Sequence, residues 1–301
     1  MPTSKRAPDN APAATVTALA AASAPGAPSF GDLLRQWRSH RRLSQLTLAV
    51  ESGISQRHIS FLETGRAQPS RRTVLDLAET LNVPLRERNT LLLRAGFSDA
   101  YSDGPLPSAQ DGLFREALDQ ILARHEPYPG LIVDGSWNLL ASNQGAMRLF
   151  AEFIDLGVLM AQIGEDAPEF PIVRMCMEDD GLKPYIENWE EVVYTFLQRA
   201  RATLLANPMH TTAKRLVDYL EHHPAAPQAW HAPIWNAPTV PALGLRLRKG
   251  DTRYALFTML AHFGAPQQIT AEELSVELFF PADQATEQAL TTLAQTPPAM
   301  A

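Results

Sequence analysis

The chain has 301 residues, enough for about two domains, and its 45% hydrophobic and 20% charged content is that of a folded globular protein. A single cysteine, Cys176, excludes an internal disulfide, and no run of about eighteen apolar residues is present to span a bilayer. The net charge of −7 argues against a nucleic-acid partner until it is divided along the chain: residues 30–101 carry eleven arginines against seven acids (+4), and residues 102–301 carry thirteen basic and twenty-five acidic residues (−12). A basic module ahead of an acidic one points to DNA binding by the first. A soluble chain in the reducing cytoplasm, with no membrane partner, is the expectation.

Residues 1–29 are rich in Ala, Pro, Ser and Thr. Lys5-Arg6 ahead of an Ala-rich stretch loosely mimics an export signal, but Pro8, Pro12, Thr15 and Thr17 leave that stretch weakly apolar, so it reads as a disordered arm. Residues 30–97 read as about five short helices. Leu33, Leu34 and Trp37 recur at helical spacing, Ser44 and Ser55 stand as N-caps, and Gly53 and Gly65 close the helices they begin. A fourth helix is expected from Ser70 or Arg71 through Leu81, and a fifth from Leu85 to Ala95. Helices this short survive only by packing into one bundle. Gly104, Pro105 and Pro107 mark a linker over 98–111.

A helix over Leu113–His125 comes next. Leu131–Val133 and Trp137–Ala141 then read as two tightly joined strands, followed by helices over Gln144–Phe153, Asn188–Ala206 and Thr211–His222. Beyond a Pro-rich stretch, Leu243, Leu245 and Leu247 alternate, Arg253–His262 is β-prone, and Leu274, Val276 and Leu278 alternate again. Two strands, several helices and three strands suit an α+β sensor-like domain over 112–285, with a five-stranded antiparallel sheet and helices on one face. Residues 286–301 read as a weak helix or disordered tail.

The most informative unit runs from Leu43 to Gly65: two capped helices joined by a short glycine-bearing turn, the layout of a helix-turn-helix. Leu48, Ala49, Ile54, Ile59 and Leu62 would fix the helices, leaving Ser55, Gln56, Arg57, His58 and Ser60 outward at the start of the second. Arg and Gln are the side chains that pair with guanine and adenine edges. Ser44-Gln45, Leu48-Ala49, Gly53-Ile54-Ser55, Ile59-Ser60-Phe61-Leu62-Glu63 and Gly65 together resemble the helix-turn-helix of the XRE family of phage-repressor-like regulators. That resemblance implies a phosphate contact by Gln45, base contacts by Gln56, Arg57 and His58, with Ser60 or Phe61 further along the groove, and backbone clamps at Arg66, Arg71 and Arg72. The family carries an acidic residue just before Leu-Ala, where Leu46 and Thr47 stand here, a departure that bears on local capping. Neutralising roughly five to seven phosphates per protomer would make binding strongly salt-dependent. One helix-turn-helix reads few base pairs, so a homodimer on a two-fold site in double-stranded DNA is expected.

Three further stretches resemble the MmyB-like transcription regulators, in which a PAS-like ligand-binding domain follows such a helix-turn-helix. They are Pro129–Asn143, Asn188–Val192, and Phe263-Gly264-Ala265-Pro266-Gln267 through Phe279-Phe280-Pro281-Ala282-Asp283 to Thr286. The resemblance implies a small apolar, fatty-acid-like ligand. Trp137, Asn143, Met147, Phe150, Met175, Trp189, Phe196, Phe257 and Phe263 are candidates for an apolar pocket, although Met and aromatic side chains at these spacings also build ordinary cores. Asn143 could orient a ligand's polar end or cap the next helix, and Arg174 or His262 could face a carboxylate.

No required cofactor, metal site or catalytic residue is expected. Glu178-Asp179-Asp180 lacks partner ligands, His222-His223 and His231 lack the neighbours of a zinc site, and Cys176 lacks the surroundings of a nucleophile. The reading is a non-enzymatic, ligand-responsive regulator. The alternatives are a constitutive repressor whose second domain only dimerises, and an enzyme fused to a DNA-binding module.

Overall fold

The computed structural model describes residues 27–104, 112–155, 169–227, 243–264 and 266–295. The chain divides into two compact units, the first ending at Asp103 and also holding Gln267–Ile269, the second holding the remainder from Gly104. The expected arm lies almost wholly outside the described residues.

The first unit is the five-helix bundle: α1 (Phe30–His40), α2 (Gln45–Ser52), α3 (Gln56–Glu63), α4 (Arg71–Thr80) and α5 (Leu85–Arg94). Four serines set the first four starts. Ser29, Ser44, Ser55 and Ser70 each accept a hydrogen bond from the amide three residues on, satisfying an N–H the helix itself leaves unpaired. Thr47 supplies the capping partner that an acid would otherwise provide: its hydroxyl lies 2.8 Å from Ser44 Oγ. Leu34 and Trp37 of α1, Leu48 of α2, Ile59 and Leu62 of α3, and Val74 and Leu77 of α4 are all buried in one core. Gly53 ends α2 at φ 70°, a left-handed conformation that glycine adopts without penalty. Gly31 has a different role, since a Cβ there would stand 2.5 Å from the Leu62 carbonyl, so α1 and α3 approach closely only with glycine at that point.

The first half of the expected linker belongs to this unit. Asn89 Oδ1 accepts from the amides of Ala100 and Tyr101, and its Nδ2 donates to Tyr101 O at 2.7 Å. Residues 105–111 lie outside the described residues.

The second unit runs α6 (Gly112–His125), β1 (Gly130–Val133), β2 (Leu139–Ser142), α7 (Gln144–Ala151), α8 (Pro171–Met177), a 3₁₀ turn (Lys183–Tyr185), α9 (Trp189–Ala206), α10 (Thr211–His222), β3 (Leu243–Lys249), β4 (Thr252–Ala261), α11 (Ile269–Glu273), β5 (Ser275–Pro281) and α12 (Gln284–Gln295). The five strands form one sheet in the order β2-β1-β5-β4-β3, and each neighbouring pair is antiparallel. The last strand in sequence is therefore the central one. The main core lies between one face of the sheet and helices α7 to α10 and α12, with Leu131, Leu149, Val173, Val193, Leu197, Leu256 and Phe279 among its members.

Four expectations need correction. Helices do not cover one face only: α6 lays Leu118 and Leu122 on the opposite face, against Ile132 and Val276. Trp137 is not in a strand but in the β1–β2 turn at φ 63°, held by Asp134, whose Oδ1 accepts from the amides of Ser136 and Asn138. Helix α8 has no counterpart in the sequence reading. The segment from residue 286 is not a tail as far as Gln295: Thr286 and Leu290 of α12 are buried, and Thr286 Oγ1 accepts from Ala255 N at 2.9 Å. Residues 296–301 lie outside the described residues.

Candidate nucleic-acid interface and the interior of the second unit

Helix α3 is fixed from behind. Ile59 and Leu62 are fully buried, and Glu63 at its end is only 4% exposed. The Glu63 carboxylate receives Arg38 Nε at 2.6 Å and Nη2 at 3.0 Å from α1, and Gln45 Nε2 at 2.8 Å from α2. Arg35 adds a hydrogen bond to the Glu63 carbonyl at 3.1 Å. One carboxylate thus joins three helices. Burial works to raise its pKa, but hydrogen bonds from Arg38 and Gln45 and the charges of Arg38 and Arg35 outweigh it and hold the carboxyl below the usual glutamate range.

With its inner face and end held, α3 presents its first turn to solvent. Ser55, Gln56 and Arg57 are exposed, and His58 and Ser60 are half-buried. Arg57 lies over the Phe61 ring at 5.3 Å, which restricts a flexible guanidinium before any partner arrives. Arg66 and Arg72 are exposed, Arg72 pairing with Asp76 at 2.7 Å.

Two of the expected phosphate contacts are already engaged. Arg71 Nη1 donates to Ser98 O at 2.7 Å. Gln45 gives one amide hydrogen to Glu63, so only its second is available to an acceptor-only phosphate. Sequence reasoning missed Arg35, Arg38 and Glu63 as positioning residues, although Glu63 lies within the motif.

The nine pocket candidates do not converge on one place. Trp137, Phe150, Met175 and Phe196 belong to the main core, with Met147 and Trp189 packed against it. Phe257 and Phe263 lie away from it, Phe257 stacked on Phe280 at 5.2 Å and Phe263 against Phe114 at 4.4 Å. Asn143 is a cap and a tie: Oδ1 accepts from Ala146 N and Gly130 N, and Nδ2 donates to Leu122 O and Tyr128 O. Arg174 lies over the Tyr219 ring at 4.5 Å, and His262 Nδ1 is 3.3 Å from Ser275 Oγ.

A polar group the sequence did not single out lies on the helix-covered face of the sheet. Glu277 of β5 is 6% exposed and receives Arg199 Nη1 from α9 at 2.8 Å. The Arg199 guanidinium lies 4.0 Å from the centre of the Trp137 ring, which meets Phe196 edge-on at 4.8 Å. Cys176 is buried, and burial, then the charge of Glu277, push its thiol up to about 12, so it carries no thiolate at neutral pH. Among the described residues no group of His, Cys, Asp and Glu is placed to hold a metal ion, and no helix is long and apolar enough to cross a membrane.

Comparison with known proteins agrees with both halves. A helix-turn-helix domain model matches residues 29–91, and a model described as the MmyB-like transcription regulator ligand binding domain matches residues 114–293. The HTH-type transcriptional repressor RghR of Bacillus subtilis (strain 168) is 36% identical over 80 residues, 26% of this chain and 57% of that protein. An HTH-type transcriptional regulator of the same organism, RghRB, is 33% identical over 111 residues, 36% of this chain and 71% of that protein. A solved structure of an RNA-binding light-oxygen-voltage receptor covers 95% of this chain and 68% of its own at 13% identity, but its TM-score of 0.26 carries no argument. With a helix-turn-helix bundle ahead of a ligand-binding domain model that spans more than half its length, the chain belongs to the MmyB-like transcription regulators.

Proposed function

We propose that this chain regulates transcription by binding a specific operator through the first turn of α3, as a homodimer on a two-fold site, with affinity set by a small apolar, fatty-acid-like molecule in the second unit. The observation that carries the reading is the exposure of Gln56 and Arg57 on a helix pinned from behind by Glu63, Ile59 and Leu62. A helix held this way can enter a major groove without rearranging, so its side chains meet base edges at a defined height. His58 and Ser60 extend the same face, Ser55 and Gln45 lie at helix starts, and Arg66 and Arg72 supply charge for the phosphates. A ligand shifts operator affinity only if it binds the two arrangements of the dimer with different affinity.

The test is selection of binding sites from random duplexes by the full chain, followed by titration of the selected site with wild type and with Gln56→Ala/Arg57→Ala. Loss of two base-reading side chains is expected to weaken the selected site by about 100-fold or more, with little change for an unrelated duplex. A folded double variant that holds the selected site at near wild-type affinity would overturn the assignment. Adding an apolar ligand to the same titration tests the sensor half, and unchanged operator affinity would leave the second unit as a dimerising element only.

A further inference from the structure

The helix-covered face of the sheet is apolar except at one end. Leu131 and Val133 of β1, Phe279 of β5, Leu256 of β4, and Leu245 and Leu247 of β3 lie in the main core. Among them, on the central strand, is the Glu277 carboxylate, and a buried carboxylate is costly unless its lone pairs are satisfied. Glu277 receives one hydrogen bond, from Arg199 Nη1, in a single-pronged pair in place of the two-pronged fork that guanidinium and carboxylate can form. A second polar atom lies close by. Phe279 pairs directly with Thr258, placing Thr258 on the same face one diagonal step from Glu277, and its buried Oγ1 has no hydrogen-bond partner.

The surroundings of this end resemble the mouth of a site more than a sealed core. Leu260, directly opposite Glu277 across the strand pair, is 40% exposed, and the Arg199 side chain keeps 26% exposure. Trp137 forms the wall, its indole against the guanidinium, and it is held there by a left-handed backbone that a bulky residue adopts only under constraint.

We infer that Glu277, Arg199 and Thr258 form the polar end of the ligand site in the second unit, and that they select an apolar molecule with an uncharged hydroxyl group over one with a carboxylate. This rests on the ligand-binding reading above and names the ligand's head group. The pair is neutral overall, so it presents no net field to attract an ion. A hydroxyl can accept from the remaining N–H groups of Arg199 while donating to Glu277 or Thr258, satisfying both partners at once. A carboxylate would face the Glu277 charge a few ångströms away in a poorly screened site. The chain of the ligand would lie against Trp137, Phe196 and Leu260.

The test uses the full chain with two probes of equal chain length, 1-dodecanol and dodecanoate, titrated calorimetrically below their aggregation limits at neutral pH. Wild type is expected to bind the alcohol at least tenfold more tightly. In Glu277→Gln the carboxylate no longer meets a like charge, so affinity for dodecanoate should rise at least tenfold and the preference should shrink or invert. Thr258→Val, of nearly the same shape, should weaken only the alcohol. Wild type favouring dodecanoate, or a folded Glu277→Gln with an unchanged preference, would overturn the head-group assignment while leaving an apolar ligand site in place. Binding of neither probe by the folded chain would overturn this proposal and remove the apolar-ligand reading with it, with DNA binding untouched.

Discussion

Glu63 closes α3 with a carboxylate that is both buried and charged, and the three side chains that hold it come from two other helices. Its lowered pKa has a defined thermodynamic sign. A carboxyl depressed in the folded state contributes stability that is complete above the unfolded value, 4.5, and is lost as pH falls through the folded value. Replacing it by Gln leaves Arg38 largely buried with no partner charge, and such a loss costs about 3 kcal/mol. Glu63→Gln should therefore lower the stability of the first unit at pH 7 by that amount, and also flatten its decline between pH 5 and 3. Urea unfolding of both proteins across that range measures it, and parallel declines would show that another carboxylate governs the acid limb. The base-facing residues were legible in the sequence because Ser55 and the glycines on either side fix where α3 begins and ends. The internal ties of Gln45 and Arg71 were not, since their partners are 18 and 27 residues away. Glu277 was hidden for a related reason. In a strand where Val276 and Leu278 alternate with it, a charged residue reads as solvent-facing, yet β5 is central and covered on both faces.

Helices and strands with a polar face were found from the sequence, and those without one were not. Helix α10 falls at Thr211–His222 as expected, because Leu216 and Leu220 recur on one side of an otherwise polar helix. Helix α8 escaped notice because six of its seven residues are buried, leaving no stripe to detect, and its only local signal is Pro171 at the first turn. Helix α12 reads weakly because Ala and Thr carry most of its inner face, yet it is bonded into the sheet. Asp283 Oδ1 accepts from Thr286 N at 2.7 Å, and Thr286 Oγ1 in turn accepts from Ala255 N, so the helix start satisfies a backbone amide of β4. Thr286→Val keeps the shape and removes that acceptor, leaving an N–H of a buried ladder unpaired at a cost of about 1–3 kcal/mol. The expected result is a second-unit unfolding transition lowered by that amount and an unchanged first-unit transition, read by hydrogen exchange along the full chain. An undisturbed Ala255 amide in that experiment would return α12 to the status of an appendage.

The charge of the whole molecule is divided as sharply as its fold, and the division bears on how the chain meets DNA. The +4 over residues 30–101 lies ahead of −12 over the rest, so at low salt the acidic portion opposes indiscriminate attachment to a polyanion while the basic bundle favours it. The number of cations left to neutralise phosphates is smaller than the arginine count suggests. Arg38 and Arg41 donate to carboxylate and carbonyl oxygens within the bundle, and Arg71 and Arg88 do the same. Arg42, Arg57, Arg66 and Arg72 remain exposed. Four cations per protomer would release counterions giving a slope of about −3.6 in log affinity against log salt, or about −7 for a dimer. The full set expected from sequence, about five to seven per protomer, would give roughly −9 to −13 for a dimer. Measuring affinity for the selected operator between 100 and 400 mM salt separates the two. A slope near −7 that falls by about 2 when Arg66 is replaced by Gln in both protomers places that residue on the phosphates. A slope steeper than −9 would mean that internal ties such as Arg71 to Ser98 open on binding, and the bundle would then be a surface that rearranges on its target.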